Sequence, residues 1–247
     1  NEFQTGKYDT KIVEEFTPPD DWVPGVEIEK AVKVMNIGEV PVVVRASFAE
    51  LWNKLDDNGD IAKDEDGDPV TLPENIIEID EDGNETDTGE DAVFKNFSAN
   101  VVELGTTDIA AAIANNPGKW LHVGDANDPL DGYYYYIGVV EPDKKLPGQT
   151  SNQTPLLLEG VTMNPKLNNT VISVTETVYK DSSGTTKVTK TEEKSVYGYD
   201  NAKYTMTITA ETVQATEGAI LEKFGNSAFA AAFAQAFGGW TEPDIEE

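Results

Sequence analysis

Residues 22–51 read WVPGVEIEKAVKVMNIGEVPVVVRASFAEL, and two apolar runs inside this stretch, 26–35 and 40–48, decide the class of fold. Both are rich in Val, Ile and Phe and alternate in part, the signature of strands rather than of a helix. Asn36-Ile37-Gly38 between them is a turn signal, so the two runs are expected to pair with each other. Side chains alternate across a strand, which puts Val32 and Val34 on one face and Val40, Val42, Val44, Ala46 and Phe48 on another. Arg45 falls opposite Val44. It is one of only 18 basic residues against 46 acidic ones, and a carboxylate partner is expected for it.

Outward from this centre the same pattern recurs. Residues 10–16 read as a strand after a short lead, and 75–79, 100–104, 120–123, 131–140 (DGYYYYIGVV) and 156–161 (LLLEGV) as further strands. The tyrosines of 133–136 are expected to fill both faces of a pleat, two inward and two outward. Residues 171–179, 185–199 and 203–215 are Thr-rich and read as a β-meander, with Asp181-Ser182-Ser183-Gly184 as a hairpin loop. Thr205, Thr207 and Thr209 form a hydroxyl ladder opposite Tyr204, Met206, Ile208 and Ala210. Helices are expected over 109–114, capped from 106–108, and over 217–238, where Phe229, Phe233 and Phe237 recur every four residues. The expected architecture is all-β: one domain over 1–247, a jelly-roll-like two-sheet antiparallel sandwich with short flanking helices and an acidic insertion at 53–91.

Composition excludes several functions. A net charge of -28 and a pI near 4.1 make nucleic acid an improbable partner, because every phosphate contact is repulsive. The same charge opposes self-association unless specific contacts overcome it. No apolar run reaches the roughly 18–20 residues needed for a membrane span. There is no cysteine, hence no disulfide and no thiolate metal site. The sequence opens at Asn1 with no signal-peptide pattern, as expected where one has been removed.

The acidic insertion repeats a short motif: DDNGD at 56–60, DEDGD at 64–68 and DEDGN at 80–84. Carboxylates around a glycine turn can wrap calcium, with Asp56, Asn58, Asp60, Asp64, Asp66 and Asp68 as the candidate ligands. The spacing departs from the EF-hand loop, which needs Gly at position 6 and Glu at position 12, and Asx-rich glycine turns are also simply what solvated loops look like. No cofactor is otherwise implied. His122 is the only histidine, so the paired histidines of an HExxH zinc protease are missing.

Several of these residues carry a resemblance. Trp22-x-Pro24-Gly25, Lys33-x-x-Asn36-x-Gly38 and Val44-Arg45, preceded by Phe3, Gly6 and Asp9, resemble the opening of the TasA/camelysin family. Its members are secreted Gram-positive matrix proteins processed by a SipW-type signal peptidase. The DGYYYY strand with its following Pro-Gly loop and Leu-rich strand, and above all YTMTITAETVQA at 204–215, are similar to later parts of that family. The acidic block and the C-terminal helical segment depart from it.

The resemblance implies an extracellular subunit, secreted to the matrix or cell surface, that polymerises with itself by donor-strand addition. A minor anchoring or cap subunit of the same family would be its other partner. By this analogy Asn1, Glu2, Phe3, Gln4 and Thr5 are the tail of the donor segment, and Lys7 is a candidate for an isopeptide cross-link. No catalytic residue is expected. Two other functions stay open at the level of sequence: a calcium-dependent surface adhesin displaying the acidic block, and a camelysin-type metalloprotease.

Overall fold

The computed structural model describes residues 9–19, 21–79, 84–105, 108–124, 132–142, 152–167, 171–180, 183, 186–195, 199 and 201–241, with the backbone alone at 78–79, 171–180 and 186–195. A first sheet has the order β1 (Thr10–Phe16), β2 (Glu27–Asn36), β11 (Leu158–Met163), β7 (Val93–Phe97). A second has the order β14 (Ala202–Gln214), β3 (Val42–Lys54), β10 (Tyr134–Tyr136), β9 (Trp120–His122), β8 (Val101–Glu103), with β4 (Thr71–Leu72) also on β3. The chain crosses between the sheets from β2 to β3, from β7 to β8 and from β10 to β11, as a jelly-roll-like sandwich requires. Pairing is antiparallel except between β8 and β9, which run parallel.

Three layers result. Val32, Val34, Val42, Val44, Leu157 and Leu158 are buried between the sheets. The far face of the second sheet, with Val43, Leu121, Tyr135 and Ile137, is covered by α1 (Ile109–Asn115), α2 (Glu217–Phe224) and α3 (Ala228–Phe237). Asp108 caps α1, its Oδ1 accepting from Ala111 N at 3.0 Å, and Ser227 Oγ caps α3 through Ala230 N at 3.1 Å. The segment expected as one helical run is broken at Gly225, whose φ of 84° only glycine adopts without strain. The phenylalanine stripe packs on the sheet as its spacing implies, with Phe229 and Phe233 fully buried.

Two pairings differ from the sequence reading. The runs of the 22–51 stretch do not pair with each other; β2 and β3 lie in opposite sheets. Asn36 explains the corner. It is wholly buried, its Nδ2 donates to the carbonyls of Val40 (2.8 Å) and Val140 (3.0 Å), and its Oδ1 accepts from Gly38 N (2.9 Å). A turn stitched to a third segment in this way carries the chain across the sandwich rather than back along its own sheet. Within the strands the face assignments hold, with Val32, Val34, Val42 and Val44 all facing the inter-sheet core; Val40, expected on the same face, precedes β3.

The expected Thr-rich meander is also divided. β14 pairs with β3 over thirteen residues, from Ala202 opposite Lys54 to Gln214 opposite Val42. β12 (Val171–Lys180) and β13 (Thr186–Ser195) pair only with each other among the described residues. β14 matches its apolar positions 204, 206, 208 and 210 to the core face of β3. β13 has lysine or glutamate at five of its ten positions and offers no such face. The tyrosine run is shorter than expected and leaves no outward pair: Tyr134 and Tyr136 join the inter-sheet core, while Tyr133 and Tyr135 meet the helices.

The acidic insertion is ordered around two equivalent loops, followed by β4 and by the hairpin of β5 (Asn75–Ile79) and β6 (Glu85–Asp91).

Candidate functional site

Sheet order leaves β1 and β14 as neighbouring edges, one from each sheet. The Thr10 and Thr212 hydroxyls hydrogen-bond between them at 2.8 Å. From there toward Phe16 and Tyr204 the sandwich opens into a cleft of about 760 Å³. Phe16, Trp22, Trp52, Tyr199, Tyr204 and Met206 are among the residues that line it. Trp22 stacks on Trp52 (6.3 Å between centroids, 10° between planes), and Tyr204 leans on both at 5.5 and 4.9 Å. Trp52 is buried; Trp22, Tyr204 and Met206 are half-buried and Phe16 is 45% exposed.

The outer edge of β14 borders this cleft. Along the strand Thr205, Thr207 and Thr209 are exposed, and Tyr204, Met206, Ile208 and Ala210 are half-buried, the alternation expected from the sequence. Among the described residues no strand pairs with that edge. Its main-chain groups therefore have the arrangement that accepts an added strand.

Charges are held to fixed partners. Lys30 bonds Glu14 and lies 4.4 Å above the Phe16 ring at the cleft wall. Between the sheets Glu50 receives both Lys95 Nζ (2.5 Å) and the Tyr204 hydroxyl. Burial, reinforced by that bond to Glu50, pushes the Tyr204 phenol above its ordinary range, so it stays a protonated donor. Arg45 finds the carboxylate expected for it: Nε donates to Glu211 at 2.6 Å, and Nη1 donates to the Phe224 carbonyl at the end of α2 at 2.9 Å. The guanidinium also lies over the rings of Tyr133 (3.9 Å) and Phe224 (4.5 Å). Its role is to fasten the helical layer to the sheet.

Of the calcium candidates, Asp56 and Asp64 turn their carboxylates to the backbone of their own loops. Asp56 Oδ1 accepts from the backbone N–H of Asn58 and Asp60, both at 2.9 Å, and Asp64 Oδ1 accepts in the same way from Asp66 (3.0 Å) and Asp68 (2.9 Å). Gly59 and Gly67 sit at φ 82° and 89°, which closes each loop. No group of three His, Cys, Asp or Glu placed to hold a metal occurs among the described residues. His122 lies on β9, its Nδ1 2.7 Å from Glu103 Oε2 and its ring stacked on Tyr134 at 4.1 Å. Asn1, Glu2, Phe3, Gln4, Thr5 and Lys7 lie outside the described residues, as does most of the third acidic motif.

The aromatic lining of the cleft was not singled out from the sequence. The signal was there in part: inward alternation on β3 continues past Phe48 through Glu50 to Trp52, which stands opposite Tyr204. Trp22 lies outside any strand, where no periodicity places it, and Tyr199, expected at the end of a strand over 185–199, lies beyond the end of β13. No helix among the described residues is long and apolar enough to cross a membrane. No family model, curated protein or solved structure matches the chain.

Proposed function

We propose that this chain is a structural subunit that polymerises with itself into extracellular fibres, each copy accepting an extended segment of the next along the outer edge of β14. The observation that supports this most directly is that thirteen-residue edge, bordered by a cleft whose aromatic and apolar lining is only half covered. An added strand gains affinity from main-chain hydrogen bonds and specificity from alternate side chains dropping into the cleft. The resemblance noted above names the N-terminal lead, ending in residues 1–5, as the donor. It also implies secretion to a matrix or cell surface, and a related minor subunit as an anchor or cap. Head-to-tail addition gives an open filament where the rotation between successive copies does not close into a ring.

Met206 allows a direct test, since it faces the cleft and is only half-buried. In the full-length mature protein, Met206→Lys is expected to leave a folded monomer that forms no fibres by electron microscopy, whereas Met206→Leu keeps them. Fibres of normal length from folded Met206→Lys protein would refute the assignment.

A further inference from the structure

We propose that the β12–β13 hairpin is a self-association arm in which β13 of one copy adds, edge to edge and antiparallel, to β13 of a second copy. The ladder of this hairpin is complete from Val171 opposite Ser195 to Lys180 opposite Thr186. Ten residues per strand make a ribbon roughly 33 Å long. Neither strand pairs with any other strand among the described residues. A lone two-stranded hairpin is marginal in water and gains independent stability only from a third strand or a packed face. A second copy supplies two more strands.

Charge identifies the occupant. The two strands hold four lysines and three glutamates, in a chain whose net charge is -28. Most of the surface therefore repels another copy, and this ribbon does not. Charge order also selects the direction of the pairing. On β13, Lys187 and Lys190 precede Glu192 and Glu193. An antiparallel pairing centred on Thr191 sets position 190 opposite position 192 of the second copy, twice by symmetry, and places no like charges opposite each other. Parallel in-register pairing would oppose lysine to lysine and glutamate to glutamate, which destabilises a sheet. The contact is two-fold and closed, so it joins copies in pairs and is separate from strand addition at β14.

Because the chain has no cysteine, a single introduced one reports its own neighbour. Directly opposed residues in an antiparallel pair have Cα atoms about 4.5–5.5 Å apart, inside the range a disulfide spans. Under mild oxidation Thr191→Cys is expected to form a disulfide-linked dimer at least about tenfold faster than Glu222→Cys, an exposed control on α2, because pairing raises the local thiol concentration. In sedimentation velocity the Lys187→Glu, Lys190→Glu double variant is expected to be monomeric, and to recover dimer as salt is raised. Thr191→Cys reacting no faster than the control, Val178→Cys on β12 reacting faster than Thr191→Cys, or a charge-reversed variant dimerising like the unmodified chain would each overturn the proposal. Met206→Lys is expected to leave these dimers intact, so failure here and failure of the fibre assignment give different patterns.

Discussion

Asn36 shows how much one polar side chain can decide. Its amide satisfies two carbonyls from different segments and its oxygen closes the turn, all in a site with no access to water. Asn36→Ala strands these groups and is expected to cost about 2–3 kcal/mol in urea unfolding. Asn36→Asp should cost more, since a carboxylate replaces the donor and faces two carbonyl oxygens; equal or smaller loss for Asp would show that the amide donor is unimportant. Asp56 is the exposed counterpart. The backbone N–H of Asp60, then that of Asn58, holds its carboxyl below the usual aspartate range. A group whose folded pKa is lowered supports the fold above its unfolded pKa and loses that support as pH falls through the lower value. The 56–60 loop is therefore expected to keep its amide shifts at neutral pH and to open only below about pH 4. An NMR titration of the Asn58 and Asp60 amides with a midpoint above the ordinary aspartate value would contradict this.

At the scale of elements, α3 is held by its aromatic stripe. Phe233 is fully buried and contacts Tyr135, Phe229 and Phe237 at centroid distances of 5.1, 6.3 and 4.9 Å. Phe233→Ala is expected to cost about 3–5 kcal/mol, read from the denaturation midpoint, because a tightly packed helix–sheet layer cannot collapse onto the space left. This stripe was legible in the sequence because a period near four is a local property. The strands were legible for the same reason: alternation in 26–35, 40–48 and 203–215 gave both their existence and their buried faces. Their partners were not legible. Alternation says which way Val44 points, yet nothing local says that β3 takes β14 rather than β2. The two Thr-rich hairpin strands resemble β14 in composition, and only the mismatch between charged β13 and an apolar core separates them. The cleft was hidden similarly, since Trp22, Trp52 and the Tyr199–Tyr204 segment converge from three distant parts of the chain.

The whole molecule combines strong mutual repulsion with two strand edges that pair with no other strand among the described residues and carry almost no net charge. β14 holds one lysine and one glutamate, and β12 with β13 four lysines and three glutamates. Repulsion between copies is screened over roughly 10 Å at 0.1 M salt and 3 Å at 1 M. Association is therefore expected to strengthen steadily from low to high salt in light-scattering or sedimentation measurements, opposite to the behaviour of an assembly held by intermolecular ion pairs. Association that weakens with salt would assign the contacts to charge attraction instead. The long β3–β14 ladder has a mechanical consequence as well. A pull directed along these strands loads all thirteen residue pairs at once, as in a sheared lap joint, whereas a pull across them peels the bonds off singly. If filaments transmit tension along β14, each subunit resists extension in its stronger direction, and single-molecule stretching between positions 202 and 42, at opposite ends of the ladder, should show a higher rupture force than stretching between positions 202 and 54, at the same end.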